Sequence, residues 1–249
     1  GLITVSAGNA AMGAAWAARA AGAPIVVVMP ETAVPEKLAA VAALGGRIEK
    51  EGITNATQAF ERLAHLREVH GYTLVHPFDD PFVIAGAGTA TWELFEDVPE
   101  LEDLAVPTSG GGLLAGALLA ARGLAPAARV IGVQPTGAAG LVRSLSAGEP
   151  TAPESIRTIA DGLTAPKPGA LNFEIIRRQV TDVLTVPDEA ILAAMGLILR
   201  HLKVIVEPSG AAGLAAVLAD DRFRGRRVGV LLSGSNTGVE RMREALATL

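Results

Sequence analysis

Short apolar runs alternate with longer stretches of helical period along this chain, and that alternation limits its fold more than any other feature. "LITVS" (2–6) reads as a strand and "NAAMGAAWAARAAG" as an alanine-rich helix. "APIVVVMP" reads as a strand closed by Pro30, and "PEKLAAVAALGG" as a helix with Pro35 in its first turn and Gly45 past its end. "RIEKEG" is a short strand. The helix "TNATQAFERLAHLREVHG" is expected to start on a Thr54 cap and to bury Ala59, Leu63, Leu66 and Val69. "TLVHPF" follows, then the helix "PFVIAGAGTATWELFEDV". The rhythm returns with the strand "DLAVPTS", the helix "GGLLAGALLAARGL", the strand "ARVIGVQP" and the helix "GAAGLVRSLSAG". After a looser stretch (149–161) come "NFEIIRRQV" as a helix, "DVLTVP" as a strand, and "DEAILAAMGLILRHL" as a helix capped by Asp188. A strand-like run after Lys203, the helix "PSGAAGLAAVLAD" and a last strand "RRVGVLLSGS" complete the pass. Strands that are apolar throughout and flanked by helices indicate parallel sheets covered on both faces. The expected fold class is therefore α/β: two three-layer units with mostly parallel sheets, dividing near "TLVHPF".

At 249 residues and 50% hydrophobic, the chain has core enough for one large or two modest domains. Its net charge of −5, with no basic stripe carrying aromatics, argues against nucleic acid as a partner. The cluster "RFRGRR" (222–227) reads as a solvated loop. With no cysteine, disulfides, thiolate metal sites and a thiol nucleophile are excluded. There is no apolar run of membrane-spanning length and no leader pattern, so the expected locale is the cytoplasm, with no membrane partner. His65, His70, His76 and His201 show no metal-ligand spacing, and Asp79-Asp80 before Pro81 reads as the turn that starts a helix.

Three glycine- and serine-rich turns fall where strands are expected to end. In "VPTSGGGLLAG" (106–116), three glycines lead into a helix; either free amides and the helix dipole there hold an anion that glycine lets approach closely, or the glycines form a tight βα turn with no ligand. The spacing fits neither G-x-x-x-x-G-K-[ST] nor G-x-G-x-x-G, so a nucleotide is not implied. "SAGNAAMG" (6–13) either offers Ser6, Asn9 and further amides to an anion or is a helix start capped by Asn9. "LLSGSNTG" (231–238) carries Ser233, expected at the carboxyl end of the last strand, where open α/β sheets bind ligands. Glu207, before a proline-started helix, suits a helix-end role. Jointly the turns suggest a small phosphorylated cofactor in a cleft between two α/β units.

In this order the motifs resemble the serine/threonine dehydratase branch of the fold-type II enzymes that use pyridoxal 5′-phosphate, a group of tryptophan synthase β-like architecture. "SAGNAAMG" is similar to that family's S-x-G-N-H loop and "VPTSGGGLLAG" to its tetraglycine loop; "TIADGL", "FEII" and "VEPSGA" follow in family order, and "LSGSN" is similar to its S-G-G-N. The resemblance implies that the amides of Ser109, Gly110, Gly111, Gly112 and Leu113 hold the cofactor phosphate. It places Asn9 on the ring hydroxyl oxygen and Ser233 on the pyridine nitrogen. It further implies that Ser6, Ala7, Gly8, Asn9 and Ala10 grip the substrate carboxylate. A neutral hydroxyl can donate to an unprotonated ring nitrogen, which leaves a weaker electron sink suited to β-elimination. The implied reaction removes water from L-threonine or L-serine, leaving a 2-oxo acid and ammonia. The alternatives are elimination from another β-hydroxy amino acid such as hydroxyaspartate, or a cofactor-binding protein without catalysis. A homo-oligomer, dimer or tetramer, is implied by family, and the chain ends soon after "SGSN", as in the short catabolic-type forms.

The departures carry information too. The family's Schiff-base lysine lies upstream of the S-x-G-N-H loop; the lysines here are Lys37, Lys50, Lys167 and Lys203, each expected on the solvated surface. The chain is therefore expected to be a fragment without the N-terminal part of its large domain, inactive alone and offering no catalytic residue. Residues 1–74 would form the small domain and 75–249 the incomplete large one. Ala10 replaces the family's histidine and Met12 its glutamine, removing polarity from the loop. Ser109 replaces the first loop glycine, and its hydroxyl can join the phosphate if its φ is negative. Ala7 stands where the family's racemases carry a proton-donating serine, which disfavours racemisation. Gln134, Ala139 and Gly140 replace the acidic positions of a divalent-cation site found in some members, so no metal is expected there.

Overall fold

The computed structural model describes residues 1–33 and 35–249, with the side chain of Ala56 outside the description. The chain divides into two units, Gly1–Asp80 and Pro81–Leu249. In the first, β1 (Leu2–Val5), α1 (Asn9–Ala20), β2 (Ile25–Val28), α2 (Pro35–Ala43), β3 (Arg47–Glu49), α3 (Ala56–His70) and β4 (Thr73–Leu74) alternate. All its strand pairs are parallel, in the order β3-β2-β1-β4. Side chains alternate across a strand, so the valine run of β2 serves two cores. Val26 and Val28 join Ile3, Val5 and the α3 residues Ala59, Leu63 and Leu66. Ile25 and Val27 join Ala11, Ala15, Ala18 and Val41 from α1 and α2.

The second unit holds α4 (Pro81–Asp97), β5 (Asp103–Pro107), α5 (Gly112–Leu124), β6 (Arg129–Pro135), α6 (Gly140–Ala147), α7 (Ala170–Gln179), β7 (Asp182–Val186), α8 (Asp188–Leu202), α9 (Pro208–Ala219), β8 (Val228–Val230) and α10 (Val239–Leu246). Its sheet is again parallel, in the order β7-β6-β5-β8. Leu104 and Val106 of β5 face a core shared with α4, α5 and α7, whereas Ala105 faces α8 and α9. These are the two parallel-sheet α/β domains expected from the alternation of apolar runs.

Several local expectations are corrected. Asn55, not Thr54, caps α3, its side chain accepting from the Gln58 amide at 3.0 Å. Thr54 instead donates its own amide and hydroxyl to Gln58 Oε1, each at 2.8 Å. Val69 is 58% exposed. Ten residues beyond Ala59, a helix of 3.6 residues per turn has drifted about 80° from the starting direction, and Val69 leaves the core face. Pro187 precedes α8, so Asp188 is its first residue rather than its cap. The Asp188 carboxylate accepts from Thr158 Oγ1 at 2.6 Å and the Ile159 amide at 2.9 Å, pinning the irregular segment that follows α6. No strand forms between Lys203, which ends α8 in the left-handed region at φ 59°, and the start of α9. The last strand stops at Val230, and α10 follows where the sequence pattern predicts no element.

At the strand-entry end of the second sheet, Asp103 is fully buried beneath two arginines. Arg129 binds it through Nε and Nη2 at 2.6 and 2.7 Å, and Arg226 through Nε and Nη2. Burial alone would raise the Asp103 pKa; the hydrogen bonds and charges of Arg129 and Arg226 outweigh it and hold it below the ordinary 3.8. Arg222 pairs with Asp182 and Asp220, Arg227 with Glu102, and Arg224 with Asp221. The arginine cluster expected as a solvated loop thus clamps carboxylates of its own unit. Among the described residues, no helix is long and apolar enough to cross a membrane.

Candidate functional site

Both sheets share one permutation of strand order, and in each the order reverses beside the first strand of the unit: between β1 and β4, and between β5 and β8. Successive connections leave the carboxyl ends of two such strands in opposite directions, which opens a crevice where ligands bind in α/β sheets. All three turns singled out in the sequence leave strands that flank these reversals. "SAGNAAMG" follows β1; "PTSGGG" follows β5 and "LLSGSN" follows β8.

In the second unit the glycine turn is buried from Thr108 through Gly112, with Leu113 half-buried. Gly111 stands at the N-cap of α5 at φ 95°, where an L side chain is strained, and among the described residues no side chain caps the helix. A Cβ at Gly111 would also lie 2.9 Å from Ile176 Cδ1 and 3.0 Å from Asn172 Cβ. The first amides of a helix have no intrahelical acceptor, and burying that end without a cap calls for an acceptor from outside the chain. Two negative charges on a phosphate ester meet that demand and the positive end of the α5 dipole. The residues present therefore fit a phosphorylated cofactor. Ser109 has a negative φ, since Lys203 alone among the described non-glycine residues is positive. Its Oγ accepts from the Ala165 amide at 2.9 Å.

The neighbouring turn is held by Glu207, which is 4% exposed at the start of α9. Its amide donates to the Gly234 carbonyl at 2.9 Å, and its Oε2 accepts from the Asn236 amide at 3.1 Å. The role expected at a helix end is thus joined by a second one, pinning the loop that carries Ser233. Ser233 itself lies in that loop beyond the end of β8 and is exposed. Ser209, two residues along α9, accepts from the Gly162 amide at 2.9 Å and ties down "DGL".

In the first unit, Gly8 caps α1 without a side-chain hydrogen bond, and Asn9 is the first helical residue, exposed. Asn9 is therefore not the cap that one reading of the turn made it. Ser6 Oγ accepts from the Gly8 amide at 3.1 Å and closes the bend, while Ala7 and Ala10 are half-buried. Past β4, His76 Nδ1 accepts from the amides of Phe78 and Asp79 at 3.3 and 2.8 Å, so that nitrogen carries no proton. Burial lowers the His76 pKa below the ordinary 6.5, with Asp79 and Asp80 opposing.

Gln134 is 1% exposed, and its Oε1 accepts from the amides of Leu141 and Val142 at 3.0 and 3.1 Å, capping α6. Lys50, Lys167 and Lys203 are exposed and Lys37 half-buried, on a helix, a strand end and two irregular segments rather than in the turns. Sequence reasoning missed Asn172, which is fully buried and donates through Nδ2 to the Gly110 carbonyl at 2.8 Å.

Over 239 residues the chain is 38% identical to the L-threonine ammonia-lyase of Thermotoga maritima, covering 96% of the chain and 59% of that protein. It is 39% identical to the L-threo-3-hydroxyaspartate ammonia-lyase of Saccharomyces cerevisiae, covering 97% of the chain and 74% of that protein. The structure of maize serine racemase superposes with a TM-score of 0.93 at 36% identity, covering 99% of the chain and 76% of that structure. The family described as "Pyridoxal-phosphate dependent enzyme" matches residues 1–234, which span the first two turns and reach Gly234 within the third, and the chain belongs to that family.

Proposed function

We propose that this chain forms the greater part of an ammonia-lyase that removes water from L-threonine or L-serine, after which hydrolysis of the resulting enamine leaves a 2-oxo acid and ammonia. The observation that carries the reading is the buried, uncapped start of α5 behind Gly110–Gly112, in the crevice beside the Ser233 loop. Bound pyridoxal 5′-phosphate would supply the electron sink for the elimination. The amides of Ser109, Gly110, Gly111, Gly112 and Leu113 would hold its phosphate. Ser233 would donate its hydroxyl proton toward the ring nitrogen, and Asn9 its amide toward the ring hydroxyl oxygen. Ser6, Ala7, Gly8, Asn9 and Ala10 would hold the substrate carboxylate, chiefly through backbone amides, because Ala7 and Ala10 bring only methyl groups. A methyl group at Ala7 cannot return a proton to the opposite face of the substrate, which favours elimination over racemisation.

None of the four lysines lies in these turns, which supports the reading that the chain by itself lacks a covalent anchor and a base for the α-proton. Alone it should hold the cofactor reversibly and not turn over substrate. Borohydride reduction of the loaded chain, followed by peptide mapping, should reveal no stoichiometrically labelled lysine; a single fully labelled one overturns this. The small domain is proposed as residues 1–74 and the large domain as 75–249, and the assembled enzyme as a cytoplasmic homo-oligomer. Identity of 39% to the yeast hydroxyaspartate enzyme, against 38% to the threonine enzyme, supports a second reading, elimination from a β-hydroxy dicarboxylate. L-threonine, L-serine and L-threo-3-hydroxyaspartate, given in parallel to the protein at the length its gene encodes, should yield keto acid fastest from threonine. Selective turnover of hydroxyaspartate would replace the first reading with the second.

A further inference from the structure

Asparagine is a poor helix former, because its side chain competes for nearby backbone groups. Yet Asn172 sits in the first turn of α7, fully buried. Its side-chain Nδ2 reaches across to the Gly110 carbonyl at 2.8 Å. A carbonyl can only accept, so the donating atom must be the amide nitrogen. The Gly169 amide, at the cap of α7, donates to the same oxygen at 3.0 Å, while its own carbonyl accepts from Phe173. Two donors from the start of α7 thus converge on one peptide oxygen of the glycine turn.

That convergence fixes more than a carbonyl. A trans peptide is planar, and its C=O and N–H point in opposite directions. Holding the Gly110 oxygen against α7 therefore turns the Gly111 N–H away from α7. Glycine on both sides of this bond leaves its plane easy to rotate, so the orientation must come from outside the loop.

We propose that Asn172 is a positioning residue for phosphate binding, locking the Gly110–Gly111 peptide so that its N–H is presented to the phosphate of the cofactor. The proposal rests on the reading of the glycine turn as the phosphate site. Its effect should appear as a preference for pyridoxal 5′-phosphate over pyridoxal, which lacks only the phosphate.

The test measures dissociation constants of both compounds on the full chain by tryptophan fluorescence, with the 31P resonance of the bound phosphate as a second readout. The unmodified chain should prefer the phosphorylated compound. Asn172→Leu, similar in size but without a donor, should shrink that preference about tenfold, as expected for loss of one hydrogen bond, and shift the 31P line. Asn172→Asp, which keeps the shape and replaces the donor with an acceptor, should shrink it as well. Ile176→Ala removes packing beneath Gly111 but no hydrogen bond; it should lower Tm and leave the preference intact. If the unmodified chain shows no preference, the phosphate reading fails and the proposal falls with it. If it does, and either folded Asn172 variant retains the full preference, the proposal alone is wrong. Equal loss in Ile176→Ala would assign the effect to packing and overturn it too.

Discussion

Gly111 is the residue on which the candidate site turns. At φ 95° an L side chain is strained by roughly 1–2 kcal/mol, and the Cβ would press on Ile176 and Asn172. Gly111→Ala should therefore cost at least about that much stability in a urea melt and weaken cofactor binding in the same samples. The glycine run was visible in the sequence because composition alone marks it: few loops need three residues without a Cβ before a helix. Asn172 was not visible, because nothing local couples residue 172 to residue 110; the pairing exists only once α7 is laid beside the turn. Thr54 and Asn55 show a smaller limit. Both are good capping residues, and the choice between them depends on where Gln58 Oε1 goes.

Between elements, the contact of α4 with α5 positions the glycine turn, since α5 begins there. The two helices meet at Gly88 and Gly116: a Cβ on Gly116 would lie 2.5 Å from the Ile84 carbonyl oxygen and 2.6 Å from the Gly88 nitrogen. Backbone cannot yield as a side chain can, so Gly116→Ala must push the helices apart. Overpacking of this kind costs about 1–3 kcal/mol, and thermal melts should show that loss together with weaker cofactor binding. Helix and strand identity was largely legible, because period and punctuation agree along most of the chain. Val69 and Asp188 were misread for particular reasons. Helical drift carries Val69 outward, and the Asp188 carboxylate serves the distant Thr158 and Ile159 rather than its own helix. α10, largely polar, offered no long apolar run to catch the eye.

At the scale of the whole molecule, the Asp103 cluster ties β5, β6 and the approach to β8 at the end of the sheet away from the turns. Asp103→Asn leaves both arginines without their carboxylate. Because they are each about a third exposed, solvent screening limits the loss, to about 2 kcal/mol at neutral pH. The folded-state pKa of Asp103 is depressed, so the unmodified chain keeps this stabilisation above 3.8 and loses it as pH falls through the lower folded value. Urea melts from pH 7 downward should show a constant gap between the two proteins that narrows only below about 3.8. The shared strand order has an outcome for biosynthesis as well. β5 gains its neighbour on the crevice side only from β8, which leaves the ribosome long after β5, β6 and β7 have emerged. A nascent polypeptide therefore displays the tri-glycine bend well before the groove beside it has a second wall, and a bound cofactor can steady this unit only once β8 has been made.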